Sequence, residues 1–290
     1  MSTWSFASDV HLEYHLQKPW PEINADAPYL ALAGDIGNPR DKSYYAFLQY
    51  CSKRFKHVVI IKGNHDQWNW DMFECSQAIR RVCARFSNVS FLDNEVIEID
   101  GVRVFGGVLW SDVTERASKS MNDYAMIKTR GRQLTPGDTR DMHLATVNHI
   151  DYLLSSSRKP LLCITHHGPL LAMNGRFGTD SPVISAFCAD LSHLFRPPLV
   201  GWISGHTHSS TSAVHNGIPS ESNCWGYEAS EQATYRPDAV LRLKTPDGLP
   251  LFKPLFGCRR VLRGPDSLDE KDSWLSPIGG PTGTVKAASV

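Results

Sequence analysis

The sequence lacks an excess of charge of either sign. Its 30 lysines and arginines balance 30 aspartates and glutamates, so the formal net charge at neutral pH is zero. A protein that holds nucleic acid or a membrane surface by bulk electrostatics normally carries a clear basic excess. We therefore expect neither a long nucleic acid nor a membrane as a partner, although a local basic cleft is compatible with this composition.

Long apolar runs and paired cysteines are also missing. No apolar stretch reaches the roughly 20 residues that a membrane-spanning helix needs. The N-terminal sequence has no basic segment followed by an apolar one, so we expect no signal peptide. The seven cysteines form an odd set without a CxxC pair, and most have apolar neighbours, as in LLCIT and SAFCAD. This usage indicates buried thiols in a reducing compartment, and we predict a cytoplasmic protein.

Short apolar runs alternate with segments of helical periodicity along most of the chain. The runs cover residues 4–7, 29–33, 57–62, 102–107, 161–165 and 200–204. Their continuous rather than alternating hydrophobicity is typical of strands buried on both faces of a sheet. The order strand, helix, strand predicts a layered α/β protein with helices on both faces of its sheets.

Three helices are predicted between these runs. An apolar stripe over residues 72–86 indicates the first. The second carries a stripe over residues 142–153 and opens with Thr135 as N-cap and Pro136 in the first turn. Residues 181–194 have the same pattern, because Ser181-Pro182 precedes Phe187, Leu191 and Leu194 at helical spacing.

The composition divides the chain into three parts. Residues 1–230 are predicted to form the main domain, in which the polar segment 111–140 interrupts the alternation as a lid or an insertion beside the site. Residues 231–262 are predicted to extend that domain with a strand and a turn, as in DAVLRLKTPDG. Residues 263–290 are rich in proline, glycine and serine, and we predict a tail that is ordered only if it docks on the body.

Polar clusters follow five of the predicted strands. They are Asp9-Val10-His11, Gly34-Asp35, Gly63-Asn64-His65-Asp66, Thr165-His166-His167 and Gly205-His206-Thr207-His208. Each cluster alone could be no more than a turn, since glycine and asparagine tolerate unusual backbone angles. Open α/β sheets, however, place ligand sites at the carboxyl ends of their strands. Six of the 12 histidines lie in these clusters, which favours a shared site.

The clusters have the chemistry of a site for two metal ions. Imidazoles suit transition metals, and carboxylate or amide oxygens suit harder ions, so the mixture indicates Mn, Fe or Zn. Two cations about 3.5–4 Å apart can activate a water and clamp both oxygens of a displacement at phosphorus. An unligated histidine beside them can serve the leaving oxygen. A purely structural site is disfavoured, because such sites are closed and rich in thiols.

The ordered motifs DxH, GD, GNHD, H and GHxH resemble those of the calcineurin-like metallophosphoesterases. The resemblance spans residues 4 to about 230. It implies a four-layer αββα sandwich with a dinuclear metal site at the C-terminal ends of the strands. It also implies a metal-dependent phosphoesterase, which hydrolyses a phosphate mono- or diester through a hydroxide that two divalent ions activate. We expect manganese in this site, with iron or zinc as alternatives, and a small phosphorylated substrate such as a nucleotide.

The resemblance assigns roles to the matching residues. The first ion would be bound by Asp9, His11, Asp35 and His208, and the second by Asn64, His166 and His206, with Asp35 bridging the two. His65 would donate a proton or stabilise the transition state, and Asp66 would orient it. We prefer His166 to His167 as the ligand, because it directly follows the strand. Candidate substrate-binding residues are Asn38, Asn122, Tyr124 and His167, for which ordinary turn or surface roles are the alternatives.

Shorter motifs point to a subgroup. SDVHLEYH, LAGDIGNP, FGGVLWSD, MNDYAMIK and THHGP resemble small cytosolic phosphoesterases of bacteria and phages. In that subgroup NPxGY follows the last motif, whereas residues 223–227 are NCWGY, and the resemblance assigns no role to this loop. The sequence GDIGNPR differs from the GDxVDRG of protein serine/threonine phosphatases, which argues against that class.

Two alternatives to hydrolysis of a small ester stay open. One is a nucleotide or nucleic-acid phosphodiesterase or nuclease, against which the neutral net charge argues for long substrates. The other is a non-catalytic scaffold of the same fold. Such a scaffold usually lacks ligands or the proton-donating histidine, and here none is missing.

Overall fold

A computed structural model of the chain describes residues 2–15, 20–175, 178 and 181–244. The strands in these ranges are β1 (Ser2–Ala7), β2 (Tyr29–Ala33), β3 (His57–Ile61), β4 (Val89–Phe91), β5 (Glu95–Ile99), β6 (Val102–Gly107), β7 (Lys128–Thr129), β8 (Arg132–Gln133), β9 (Leu161–Thr165), β10 (Leu199–Ser204), β11 (Ser212–His215), β12 (Ile218–Ser222) and β13 (Val240–Leu243). The helices are α1 (Lys42–Arg54), α2 (Met72–Cys83), α3 (Glu115–Ser118), α4 (Asp123–Met126), α5 (Pro136–Ser156) and α6 (Ala229–Gln232). All six predicted apolar runs form strands.

The strands form two large sheets and one hairpin. The first sheet has the order β13-β1-β2-β3-β4, and the second has the order β11-β12-β10-β9-β6-β5. The central strands β1 to β4 of the first sheet and β12, β10, β9 and β6 of the second are parallel to their neighbours. Antiparallel strands close the edges at β13, β11 and β5. Within each sheet, the carboxyl ends of the central strands therefore share one side.

Alternate residues of the central strands face opposite layers. In β2, Leu30 packs with residues of α1 and α2, whereas Ala31 faces the second sheet. In β9, Leu162 faces the first sheet and Leu161 packs against α5. Both faces of each sheet are therefore covered, which explains the continuous apolar runs. The layers follow the order α, β, β, α, and the predicted four-layer sandwich is confirmed.

Two of the three predicted helices are confirmed. α2 begins at Met72, and α5 begins at Pro136 with a capping box in which Thr135 and Asp138 bond to each other's backbone. The prediction of a helix after Ser181 is wrong, because that segment has only single 3₁₀ turns at Ile184–Ala186 and Ser192–Leu194. Its backbone pairs instead with the loop after β9, where Gly168 N donates to Phe187 O at 3.0 Å.

The segment 111–140 contains α3, α4 and the β7–β8 hairpin before α5 begins. The strand predicted in DAVLRLK is present as β13, antiparallel to β1. The rest of the predicted extension, residues 245–262, and the predicted tail, residues 263–290, lie outside the described residues. No helix in the described part of the chain combines the length and apolar character needed to cross a membrane.

Candidate metal centre

The turns at the strand ends have unusual backbone angles. Five of the predicted ligands have a positive φ between 48° and 72°, namely Asp9, His11, Asp35, His206 and His208. This left-handed conformation is costly for residues other than glycine and is concentrated at functional sites. Gly34 has a φ of 89°, and a Cβ atom there would lie 2.6 Å from His166 Nδ1. The turns are therefore shaped to bring side chains from different strands close together.

The first group of predicted ligands consists of Asp9, His11 and His208, and one side-chain nitrogen or oxygen atom from each lies within 4.8 Å of the others. His11 Nε2 is 3.1 Å from His208 Nε2, which is 3.5 Å from Asp9 Oδ1. The outer nitrogens contact carboxyl groups, because His11 Nδ1 is 2.9 Å from Glu13 Oε1 and His208 Nδ1 is 3.0 Å from Glu231 Oε2. Such outer partners orient an imidazole so that its Nε2 faces the metal.

The second group consists of Asp35, His166 and His206, with ligand atoms again within 4.8 Å of one another. Asn64 joins it, because its Oδ1 lies 2.9 Å from His166 Nε2. His166 Nε2 is also 3.2 Å from Asp35 Oδ2. The structure thus brings all seven predicted ligands into two neighbouring groups.

Backbone carbonyls and one carboxylate hold the second group from outside. His166 Nδ1 lies 2.8 Å from Ala33 O, and His206 Nε2 lies 3.2 Å from Ala186 O. Asn64 Nδ2 donates to Asp123 Oδ1 at 2.9 Å. The asparagine amide is thereby oriented with its oxygen toward the group and its nitrogen away from it.

Asp35 connects the two groups. Its Oδ2 is 3.8 Å from His11 Nε2 in the first group and 3.2 Å from His166 Nε2 in the second. Its Oδ1 accepts from His65 N at 2.8 Å, but the buried Oδ2 receives no hydrogen bond from any described residue. A buried carboxylate oxygen without a donor is costly. A divalent cation would satisfy it, and a donor set of nitrogen and oxygen fits such an ion.

Burial keeps most of the histidines of the site neutral. It lowers the pKa of His11 and of His167 to about 3, and that of His206 well below its usual value. Neutral imidazole is the form that binds metal ions. His166 and His208 differ, because nearby carboxylates outweigh burial. Asp35 and Asp9 raise the pKa of His166 to about 9, and Glu231 and Asp9 raise the pKa of His208 above its usual value. The charge of the nearby His166 imidazole keeps the pKa of Asp35 well below its usual range against the effect of burial.

His65 lies beside the first group, with its ring held on two sides. Its ring stacks on that of Trp68, with 3.5 Å between the centroids, and its Nε2 lies 2.8 Å from the Tyr227 hydroxyl. Its Nδ1 is 4.0 Å from Glu13 Oε1, so it also forms a cluster with Glu13 and His11. Burial keeps the pKa of His65 well below its usual value.

The hydrogen bonds described for the Asp66 carboxylate do not include the His65 ring, and its orienting role stays a prediction. Its carboxylate accepts hydrogen bonds of 2.7–3.0 Å from the backbone N–H groups of residues 35–37 and Gly63. Every hydrogen bond described for this side chain therefore goes to the backbone, because the turn after β3 directs it toward the turn after β2. Burial and the neighbouring Asp35 raise the pKa of Asp66 to about 7, although those backbone bonds lower it. Asp66 fixes the two ligand-bearing turns to each other, whereas Trp68 and Tyr227 contact the His65 ring.

The four candidate substrate-binding residues have different surroundings. His167 is buried, its Nδ1 lies 3.3 Å from Val108 O, and its ring centroid lies 4.3 Å from that of His206. Asn38 accepts from the backbone N–H of Arg40 at 3.1 Å, as in an ordinary turn. Asn122 and Tyr124 lie in the segment 111–140. Asn122 is exposed, and the Tyr124 hydroxyl is 3.1 Å from Thr139 Oγ1. A role in substrate binding stays a prediction for all four.

Five residues contact the predicted ligands or His65 from outside the two groups, and sequence reasoning did not predict these contacts. They are Glu13, Trp68, Asp123, Tyr227 and Glu231. Three of them stand in short motifs quoted above, SDVHLEYH, MNDYAMIK and NCWGY, but nothing in those motifs names the partner. The loop of residues 223–227 lies alongside the end of β1, because Trp225 N donates to Ser8 O at 3.0 Å. This position places Tyr227 beside His65.

A cleft of about 700 Å³ opens between α2, the β7–β8 hairpin and α5. Lys62, Met72, Trp110 and Met142 line it, but none of the predicted metal ligands does. The Lys62 ammonium is already paired, because it donates to Ser76 Oγ at 2.6 Å and to an Asp93 carboxylate oxygen at 3.0 Å. We therefore assign the chemistry to the histidine groups and not to this cleft.

Comparisons with known proteins agree with the geometry. Residues 6–210 match the family described as calcineurin-like phosphoesterase. The chain is 33% identical over 266 residues to the uncharacterized protein L509 of Acanthamoeba polyphaga mimivirus, which covers 81% of this chain and 95% of that protein. The fold is similar to that of phosphopantetheinyl hydrolase (PptH) from Mycobacterium tuberculosis, with a TM-score of 0.60 and 15% identity over 87% of this chain and 98% of that one. At this identity the likeness concerns the fold alone.

Proposed function

This chain belongs to the calcineurin-like phosphoesterases and is a hydrolase of phosphoric esters, and we propose that it acts on a small phosphate ester with two divalent metal ions. The observation that carries the proposal is the position of Asp35. Its Oδ2 is buried, receives no hydrogen bond from a described residue, and lies within 3.8 Å of a histidine nitrogen in each group. One carboxylate placed in this way suits two cations better than one.

We propose the ligand sets as follows. The first ion would be held by Asp9, His11 and His208, the second by Asn64, His166 and His206, and both by Asp35. Manganese is the metal we propose, with iron or zinc as alternatives, because imidazoles and oxygens are mixed in the set. When bound, such ions would supply Lewis-acid activation of the attacking water and neutralise charge on the phosphoryl oxygens.

The chain's own residues have two further tasks in this proposal. His65 lies at the edge of the first group and either donates a proton to the leaving oxygen or, in the neutral form that burial favours, donates a hydrogen bond to it. The Trp68 ring and the Tyr227 hydroxyl hold the imidazole in place. These three side chains are half-buried, and partial removal from water strengthens their contacts.

Partner and compartment follow from other features. A net charge of zero supports a small phosphorylated substrate, such as a nucleotide, over long nucleic acid. We propose the cytoplasm as the compartment, because the described cysteines at 51, 75, 83, 163, 188 and 224 are all buried free thiols.

A paired substrate screen tests the proposal. The purified protein, loaded in turn with Mn²⁺, Fe²⁺ and Zn²⁺, is given p-nitrophenyl phosphate, bis-p-nitrophenyl phosphate and then nucleotides. We expect hydrolysis that chelation abolishes and metal restores, and the ratio of monoester to diester rates separates a phosphatase from a phosphodiesterase. Activity unchanged by exhaustive chelation would overturn the metal proposal. Full metal loading without any turnover would identify a scaffold instead.

A further inference from the structure

The segment 111–140 is attached to the turn that carries Asn64 and His65, and we propose that its Asp123 is a positioning residue for both side chains. The inference rests on the proposed function, because it concerns how a metal ligand and the leaving-group histidine are held. It assigns this segment a task in assembling the site instead of the role of a lid.

One oxygen of Asp123 receives two hydrogen bonds. Its Oδ1 accepts from Asn64 Nδ2 at 2.9 Å and from Trp68 Nε1 at 2.8 Å, and the residue is only 3% exposed. A carboxylate accepts hydrogen bonds but, when ionised, donates none. It therefore selects the donor end of each neighbour, and this fixes how both side chains are turned.

The contact with Asn64 decides which end of the amide faces the ligand group. Because Nδ2 is held by Asp123, Oδ1 points the other way and lies 2.9 Å from His166 Nε2. If the amide rotated by half a turn, its NH₂ group would face the cation and repel it. Asp123 thus selects the rotamer in which Asn64 can be a metal ligand.

The contact with Trp68 serves His65. The indole ring that Asp123 holds by its Nε1–H stacks on the imidazole, with 3.5 Å between the centroids and 27° between the planes. The same carboxylate oxygen therefore supports both the amide of Asn64 and the ring that covers one face of His65. Loss of this oxygen should affect metal binding and leaving-group chemistry together.

Backbone bonds attach the segment to the same turn. Asn69 N donates to Met126 O at 2.8 Å, and Lys128 N donates to Trp70 O at 2.9 Å. Behind them, the buried side chains of Ile127 and Leu134 pack in one apolar cluster with Met72, Val108 and Trp110. A lid would have to break these bonds and expose this cluster each time it opened, whereas a positioning element has to keep them.

Metal titration and kinetics of matched variants test the inference. We expect Asp123→Ala to weaken the binding of one of the two Mn²⁺ ions by about 10–100-fold, as is usual when an outer partner of a ligand is lost. Asp123→Asn keeps an acceptor oxygen, so its affinity for that ion should lie between those of Asp123→Ala and the wild-type protein.

Trp68→Phe keeps a ring on His65 but removes the Nε1–H. It should therefore bind both ions normally and alter only the dependence of rate on the leaving group. Glu115→Ala is the control, because it removes an 89% exposed acidic side chain from the same segment.

The outcomes separate this inference from the proposed function. Ion binding, measured by calorimetry and elemental analysis, needs no turnover. If the wild-type protein binds two ions but hydrolyses nothing, the proposed function is wrong. Weaker binding of one ion by Asp123→Ala would still support the positioning of Asn64 in that case. If folded Asp123→Ala binds both ions and turns over like Glu115→Ala, Asp123 has only a structural role and the inference is overturned. Should Asp123→Ala not fold, Asp123→Asn decides. Weaker binding of one ion then supports the inference, and wild-type affinity overturns it.

Discussion

The two ligand groups of the candidate metal centre differ in what lies behind their histidines. In the first group, the Nδ1 atoms of His11 and His208 lie 2.9 and 3.0 Å from carboxyl oxygens of Glu13 and Glu231. In the second group, the outer nitrogens of the two histidines lie 2.8 and 3.2 Å from backbone carbonyl oxygens. One group is thus supported by side chains and the other mostly by the main chain.

The difference shows which parts of the chain build each group. The carbonyl behind His166 belongs to Ala33, the last residue of β2, so this support is part of the sheet itself and no substitution removes it. The carboxyl groups come from outside the strands, Glu13 from the turn after β1 and Glu231 from α6. Carboxyl partners raise the basicity of an imidazole and fix its tautomer. Side-chain substitutions should therefore distinguish the groups.

The largest effect is expected where the groups meet. Asp35→Ala removes the carboxylate that contacts a histidine of each group, so we expect turnover to fall to background and fewer than two ions to be bound. Elemental analysis of the metal-loaded variant gives the ion count. Asp112→Ala, which removes a carboxylate that is 57% exposed, is the matched control and should keep both ions. Two ions bound in Asp35→Ala would contradict the bridging role.

A smaller loss, confined to chemistry, is expected from His65→Ala. This side chain lies beside the first group, so the variant should keep its metal while its rate falls by about 10²–10⁴-fold, the usual contribution of a general acid. The loss should be largest for substrates with poor leaving groups, which a series of aryl and alkyl esters measures. His193→Ala, at an exposed histidine, should leave the rate unchanged. An equal loss for good and poor leaving groups would argue against proton donation.

Glu231→Gln is expected to lower the affinity for one ion only. It directly tests whether the two groups are supported independently, one by side chains and the other by the main chain. The variant removes the carboxylate that contacts His208 Nδ1. The affinity of the first group for its ion should fall by about 10–100-fold, while the affinity of the second group stays unchanged. Calorimetric titration with Mn²⁺ resolves the two binding steps. Glu228→Gln, at an exposed glutamate three residues earlier, is the control. If Glu231→Gln weakens both ions equally, the groups are not independently supported.

The architecture could be predicted from the sequence, because a strand that is buried on both faces appears as a continuous apolar run. Residues 29–33, 102–107 and 161–165 form strands at the predicted positions, since each is a continuous apolar run. That the predicted ligands lie close together was predictable for a different reason, namely that the motifs stand at the carboxyl ends of these strands. Residues 181–194 show the limit. Their helical spacing is real, but pairing with the loop at Gly168 prevails over it.

The outer contacts could not be predicted, because they join residues that are distant in sequence. Asp123 and Asn64 are 59 positions apart, and Glu231 and His208 are 23 apart. No periodicity relates such pairs. The contacts of Asp66 could not be predicted for a local reason. Its turn directs the carboxylate toward backbone N–H groups, and a resemblance of motifs does not contain that orientation.

The smallest effect is expected at the start of α5, where the described side-chain partners of Asp138 are Arg132 and Thr135 and belong to neither group. A variant there shows whether changes at the site exceed ordinary destabilisation. Asp138 caps this helix and pairs with Arg132 at 2.7 Å. The Arg132 guanidinium and the Thr135 bonds hold the pKa of the Asp138 carboxyl well below its usual range. Because the folded state prefers the ionised form, this stability is complete above the unfolded pKa, about 3.9, and is lost as the pH falls below it.

Asp138→Asn should therefore lower the free energy of unfolding by about 0.5 kcal/mol at pH 7, as expected for a largely solvated pair, and by less at pH 3. Urea unfolding at the two pH values measures the difference, and metal binding should not change. An effect that stays constant with pH would show that the carboxylate charge is unimportant there. A loss of metal in this variant would show that general destabilisation reaches the site, and the contrast between the two ligand groups would then lose its control.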